Sequence, residues 1–156
     1  MKVQQPTKAF KLASIVALVT GVAAYFIGLY NAPMALNEKG YYFTIMLFGL
    51  FAVVSLQKTV RDKMENIPTT KAYFLASIVA AVSAIALLVI GLMNAELLLS
   101  EKGFFGMAFT LSLFAAVTVQ KNVRDSQQPE HDEELPLFKE EVEAPHKLHI
   151  AKGASD

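Results

Sequence analysis

Leu12 to Asn37, LASIVALVTGVAAYFIGLYNAPMALN, run for 26 positions without a charged side chain. Three further charge-free runs follow: 18 residues between Lys39 and Lys58, 24 between Lys71 and Glu96, and 18 between Lys102 and Lys121. A helix rises about 1.5 Å per residue and a bilayer's hydrocarbon core is about 30 Å thick, so about 20 apolar residues cross it. The first and third runs have length to spare. The second and fourth are short and need their flanking Lys side chains to snorkel toward the headgroups. A soluble fold would need four helices hydrophobic on every side in a chain too short to surround them with polar ones. The fold class expected is therefore all-α, an integral membrane protein with four transmembrane helices. Composition agrees, with 54% hydrophobic residues and 18% charged, against about 25% charged in an ordinary soluble domain.

Charge and cysteine content close off other classes. Fourteen Lys and Arg offset fourteen Asp and Glu, so no basic field exists to hold nucleic acid. The absence of Cys removes disulfides, thiolate metal sites and thiol catalysis. Within the spans the absence of every Asp, Glu, Lys, Arg and His weighs against proton-driven transport, which relies on intramembrane ionisable groups.

Orientation follows from Lys and Arg, which are retained on the cytoplasmic side during insertion. Lys2, Lys8 and Lys11 precede span one; Lys58, Arg61, Lys63 and Lys71 lie between spans two and three; Lys121 and Arg124 follow span four. The connections after spans one and three carry only Lys39 and Lys102. Both termini are thus expected in the cytoplasm, with hairpin loops facing outward. The first span is not expected to be a cleaved signal peptide, because its apolar run to Tyr30 exceeds a usual signal core and Pro33 interrupts the small-residue exit.

The chain is duplicated. Residues 8–62 align with residues 71–125 without a gap, and 28 of the 55 pairs are identical. Each unit is two spans and a tight hairpin. Two being even, both copies enter from the same side, which makes the repeats parallel about an axis along the membrane normal. The expected organisation is a short segment 1–7, a first two-helix repeat 8–62, a linker 63–70, a second repeat 71–125, and a tail 126–156. The pattern N-A-x-x-x-L-[NS]-E-K-G-[YF]-[YF], followed after an apolar span by Q-K-x-V-R-D and present twice, resembles the YiaA/YiaB family of bacterial inner-membrane proteins and its two-helix domain. The resemblance covers about residues 7–125 and implies a small multi-pass inner-membrane protein whose family has no characterised biochemical role.

Three residue groups are candidates for function. At the outer hairpins stand Asn31, Glu38 and Lys39 and their copies Asn94, Glu101 and Lys102. Asn37-Glu38 and Ser100-Glu101 pair an N-cap residue with a carboxylate in the first turn, which satisfies exposed N–H groups and complements the helix dipole. The sharper reading makes the cluster a polar mouth for a cation or small solute. At the inner boundary Lys58, Arg61 and Asp62, repeated as Lys121, Arg124 and Asp125, anchor the helix ends, with Lys58 and Asp62 at i,i+4 spacing; a phosphate or lipid headgroup site is the alternative. Ala13, Ala17 and Gly21, repeated as Ala76, Ala80 and Ala84, form small-residue faces on spans one and three, and the two hairpins are expected to associate through them. Tyr30, Tyr41, Tyr42, Phe104 and Phe105, with Tyr73 on the inner side, read as an aromatic belt.

Ser14, Thr20, Thr44, Ser77, Ser83, Thr110 and Ser112 can line a neutral path, although such hydroxyls more often bond their own helix backbone. The tail, with eight acidic residues against three Lys, three Pro and all three His, has the composition of a disordered segment. No metal or cofactor is expected, and no nucleophile, base and metal constellation suggests an enzyme. The leading expectation is a structural, accessory or stress-related membrane component, in contact with the lipid bilayer and with a second copy or a partner membrane protein. The competing one is a small channel or facilitator for a neutral solute, built as an oligomer because four helices hardly enclose a pore.

Overall fold

The computed structural model describes residues 6–126. They form four helices: α1 (Lys8–Asn31), α2 (Leu36–Met64), α3 (Lys71–Asn94) and α4 (Leu99–Asp125). All four are long and apolar enough to cross a membrane. The tail expected to be disordered, with His131, His146 and His149, lies outside the described residues, apart from Ser126. The chain divides into two units, Thr7–Lys121 and the chain ends. In the second unit the Ser126 hydroxyl donates to the Asn122 carbonyl at 2.6 Å.

Helix boundaries follow local chemistry, twice over. Thr7 and Thr70, 63 residues apart, accept the Phe10 and Tyr73 N–H groups at 3.3 and 3.4 Å, each covering a donor that the first turn would leave exposed. Both first helices of the pairs run 24 residues and close with Ala32 and Ala95 N–H bonds to Gly28 and Gly91 carbonyls at 2.9 Å. The short second and fourth spans are resolved by length: α2 has 29 residues and α4 has 27. Their helices continue beyond the charge-free cores, so charged residues occupy the ends instead of being drawn into the bilayer. α2 runs two residues past Asp62 and ends in a Schellman motif, with Asn66 at φ 57° and Ile67 N–H bonding Asp62 O at 2.8 Å; Asn tolerates that left-handed conformation better than most residues. Lys63 then lies 4.2 Å over the Phe74 ring, tying the linker to α3.

The core is filled by large side chains set against small ones. Tyr25, Met46, Phe109 and Ala84 are buried, with Phe105, Leu88 and Ile45 around them. Tyr25 meets Phe105 edge-on at 5.4 Å, and Tyr42 stacks on Phe105 at 6.1 Å. Outward-pointing residues are apolar as well: Leu12, Val19, Phe51 and Phe114 are each more than 60% exposed. An apolar surface of this extent is stable against hydrocarbon and not against water.

The small-residue faces work differently from the expectation. Gly21 does lie at a helix contact, but its partner is α4: a Cβ on Gly21 would stand 2.7 Å from Ser112 Oγ and 3.1 Å from Ser112 N. Ala84 is buried, Ala17 and Ala80 are half-buried, and Ala13 and Ala76 are exposed. The buried face of α1 runs through Ser14, Gly21, Tyr25 and Leu29, one position from the alanine stripe at its start. The expected span one to span three interface is thus corrected to contacts of α1 with α4 and of α3 with α2.

Candidate functional site

At the hairpin end of the bundle the duplicated motif makes helix starts. Ala35, not Asn37, caps α2, and Glu38 at the third helical position accepts the Ala35 N–H on Oε2 at 2.8 Å. Glu101 does the same for Leu98 N–H at 2.8 Å. The expected capping by Asn37 and Ser100 is therefore corrected: both lie inside the first turn, and the carboxylate performs the cap by reaching back to the chain before the helix. Asn31 and Asn94 donate Nδ2–H to the Ile27 and Ile90 carbonyls at 2.8 and 2.7 Å, covering acceptors at the ends of α1 and α3. Lys39 Nζ donates to Tyr30 O at 2.7 Å and lies 5.9 Å over that ring, which turns it toward α1. Lys102 is half-buried.

Two grooves flank α2 here. One, of about 430 Å³, is walled by Phe26, Leu29, Tyr30, Leu36, Lys39 and Phe43 and is mainly apolar, with Phe26 and Phe43 at 5.3 Å. The other, of about 480 Å³, lies between α2 and the end of α3 and gathers Asn37, Glu38, Tyr41, Tyr42, Gly91 and Asn94. Glu38 of the first repeat and Asn94 of the second, assigned from sequence to one cluster, meet in it. Neither groove includes Asn31, Glu101 or Lys102. Gly91 allows the close approach, since a Cβ there would stand 2.6 Å from Tyr41 Cε1 and 3.1 Å from Tyr42 Oη. The Tyr41 hydroxyl donates to Leu87 O at 2.7 Å.

At the opposite end the expected Lys58–Asp62 pair gives way to Arg61–Glu65, with Nε and Oε1 2.9 Å apart. The helix continues to Met64, so Glu65 at its C-cap is within reach of Arg61 one turn earlier. A half-exposed pair of this kind contributes a few tenths of a kcal/mol, about what helix surface pairs give. Lys121 is exposed, and Arg124 and Asp125 are half-buried in the last turn of α4. Sequence reasoning passed over Gln57 and Gln120, whose side-chain Oε1 atoms are buried without a hydrogen-bond partner among the described residues; their separation of 63 positions within the repeated Gln-Lys was the available signal.

Five of the seven hydroxyls considered for a polar path turn to their own helices. Ser14, Thr44, Ser77, Thr110 and Ser112 donate to the carbonyls of Lys11, Gly40, Tyr73, Gly106 and Ala108 at 2.7 to 2.9 Å. Among the described residues no group of three His, Cys, Asp or Glu is placed to hold a metal.

Comparison with known proteins adds the following. A family model described as the yiaA/B two helix domain matches twice, over residues 10–62 and 73–125. The chain is 55% identical over 125 residues to the inner membrane protein YiaA of Escherichia coli (strain K12), covering 80% of this chain and 86% of that protein. It is 39% identical over 61 residues to the uncharacterized membrane protein YubF of Bacillus subtilis (strain 168), covering 38% of this chain and 70% of the relative. No solved structure matches.

Proposed function

The chain belongs to the yiaA/B two-helix domain family, and from that premise we propose that it is a non-enzymatic structural or accessory component of the inner membrane, acting through lateral contacts of its helices. It is a multi-pass inner-membrane protein with four transmembrane helices. In this reading the repeats run parallel about an axis along the membrane normal, with both termini in the cytoplasm. Supporting the parallel arrangement, Gly28 meets Phe104 and Gly91 meets Tyr41, two contacts displaced by 63 residues on both sides. Supporting the orientation, Lys and Arg crowd the ends opposite the hairpins,.

The observation that carries the reading is the filled centre of the bundle. Tyr25, Met46 and Phe109 occupy it, and Ser112, the fully buried serine, spends its hydroxyl on Ala108 O. A facilitator would need those hydroxyls turned toward a common path. What remains available for interaction is the apolar outer surface. Photo-crosslinking groups at Val79 and Phe114, both about half-exposed or more, should capture a discrete membrane protein or a second copy in native membranes. Capture of lipid alone, together with solute-selective swelling of liposomes holding the purified chain, would replace this reading with the facilitator.

A further inference from the structure

The two copies of the hairpin motif differ in one chemical respect. The first has Tyr41 and Tyr42 where the second has Phe104 and Phe105, so phenolic hydroxyls occur in one copy alone. Tyr41 uses its hydroxyl on Leu87 O. Tyr42 is only 3% exposed, yet its hydroxyl has no hydrogen-bond partner among the described residues. The ring is packed away while the hydroxyl oxygen stays accessible, so its hydrogen-bonding capacity is open to a ligand. The hydroxyl borders the groove between α2 and α3 that also holds Glu38, Asn37 and Asn94. Gly91 keeps space open in front of it, because a Cβ there would stand 3.1 Å from Tyr42 Oη.

The groove carries one formal charge, and it is negative. Glu38 gives Oε2 to the Ala35 N–H and retains lone pairs on both oxygens. Asn94 gives one Nδ2–H to Ile90 O and keeps Oδ1 as an acceptor for a ligand. No Lys or Arg lines the groove; Lys39 is drawn to Tyr30 on the other face. The walls are the Tyr41 and Tyr42 rings, edge-to-face at 5.4 Å. An anion would meet the Glu38 charge. A divalent metal prefers six or so oxygen ligands, usually with several carboxylates, and one carboxylate stands here. A neutral solute would cover the carboxylate without balancing it.

We propose that this groove binds one ammonium group, with Glu38 as counter-ion, Tyr42 Oη and Asn94 Oδ1 as further acceptors, and the two tyrosine rings as π walls. A primary ammonium presents three donors and no acceptor, matching three acceptors and aromatic faces that attract cations. The group can belong to the ethanolamine headgroup of a phospholipid or to a free soluble amine, and the chemistry is the same. The counterpart position in the other copy keeps Glu101 and Asn31 but has Phe104 and Phe105, so one site exists per chain.

The test uses the purified full-length chain in detergent with two probes. Radiolabelled ethanolamine in equilibrium dialysis reads the free amine, and native mass spectrometry with phosphatidylethanolamine against phosphatidylglycerol reads the lipid. One equivalent of either probe is expected to bind, and which probe binds identifies the source. Glu38→Gln, which keeps a capping oxygen, is expected to weaken binding about tenfold or more through loss of the charge-assisted bond. Tyr42→Phe should weaken it about fivefold, with Glu101→Gln unchanged as the matched control and circular dichroism confirming that each variant is folded. The proposal falls if neither probe binds, if two equivalents bind, if Glu101→Gln loses as much as Glu38→Gln, or if folded Tyr42→Phe retains full affinity.

Discussion

Gly28 of α1 and Phe104 of α4 pack so closely that a Cβ on the glycine would stand 2.6 Å from Phe104 Cε1, and 63 residues later Gly91 meets Tyr41 Cε1 at the same 2.6 Å. A Cβ at that distance would force an aromatic ring to move, so glycine at both positions lets the helices approach as closely as they do. Lipid tails are as apolar as any side chain, and helix association in the bilayer rests on such fit.

Substitutions along α1 and α3 should separate packed from lipid-facing positions. Gly21→Leu and Ala84→Leu are expected to destabilise the fold by about 1–3 kcal/mol through overpacking, and Ala80→Leu, half-buried, by less. Val19→Leu should be nearly neutral. Gly106, with nothing within 4 Å of a built Cβ, should accept Ala with a gain of up to about 1 kcal/mol from helix propensity. Thermal unfolding in detergent reads all five, and equal midpoints for Gly21→Leu and Val19→Leu would remove the α1–α4 contact.

Tyr25 donates its buried hydroxyl to Tyr42 O at 3.0 Å, bridging the two helices of the first repeat. Tyr25→Phe is expected to cost about 0.5–1.5 kcal/mol, the usual net value of one such bond, without loss of membrane abundance. An unchanged unfolding midpoint would show that the bond contributes nothing.

The two capping glutamates should behave alike in stability. Glu38→Gln and Glu101→Gln keep an acceptor for Ala35 and Leu98 N–H and lose the charge at the helix start, a cost of about 0.3–1 kcal/mol each. Replacement by Ala removes the bond as well and should cost more, toward about 1–2 kcal/mol. Denaturation midpoints of the four variants check the ranking; Gln costing as much as Ala would mean that the charge, not the bond, makes the cap.

Reporter fusions give the orientation. Reporters active only in the cytoplasm should work after Met64 and after Ser126, and those active only outside should work after Pro33 and Leu97, given the distribution of Lys and Arg. Outward activity at Met64 would reverse the topology.

The spans, their number and the duplication were readable from residues such as Leu12 to Asn37, because the bilayer imposes a length and an apolarity on every crossing segment and the sequence carries both directly. Helix caps are half legible: the carboxylates of Glu38 and Glu101 stand out in the sequence, but the residue types of Asn37 and Ser100 point to the wrong caps, since propensity does not reveal which preceding N–H the carboxylate reaches. The alanine stripe of Ala13 and Ala17 pointed to the right helix and missed its partner. In lipid, small residues mark where a neighbour can come close without specifying which one, and only the tertiary structure set Gly21 against Ser112 and Gly91 against the tyrosines. The unpaired Tyr42 hydroxyl also became visible only then. Whether a hydroxyl is satisfied depends on atoms from other helices, and a tyrosine at the end of an apolar span reads as an aromatic belt residue until the packing around its oxygen is known.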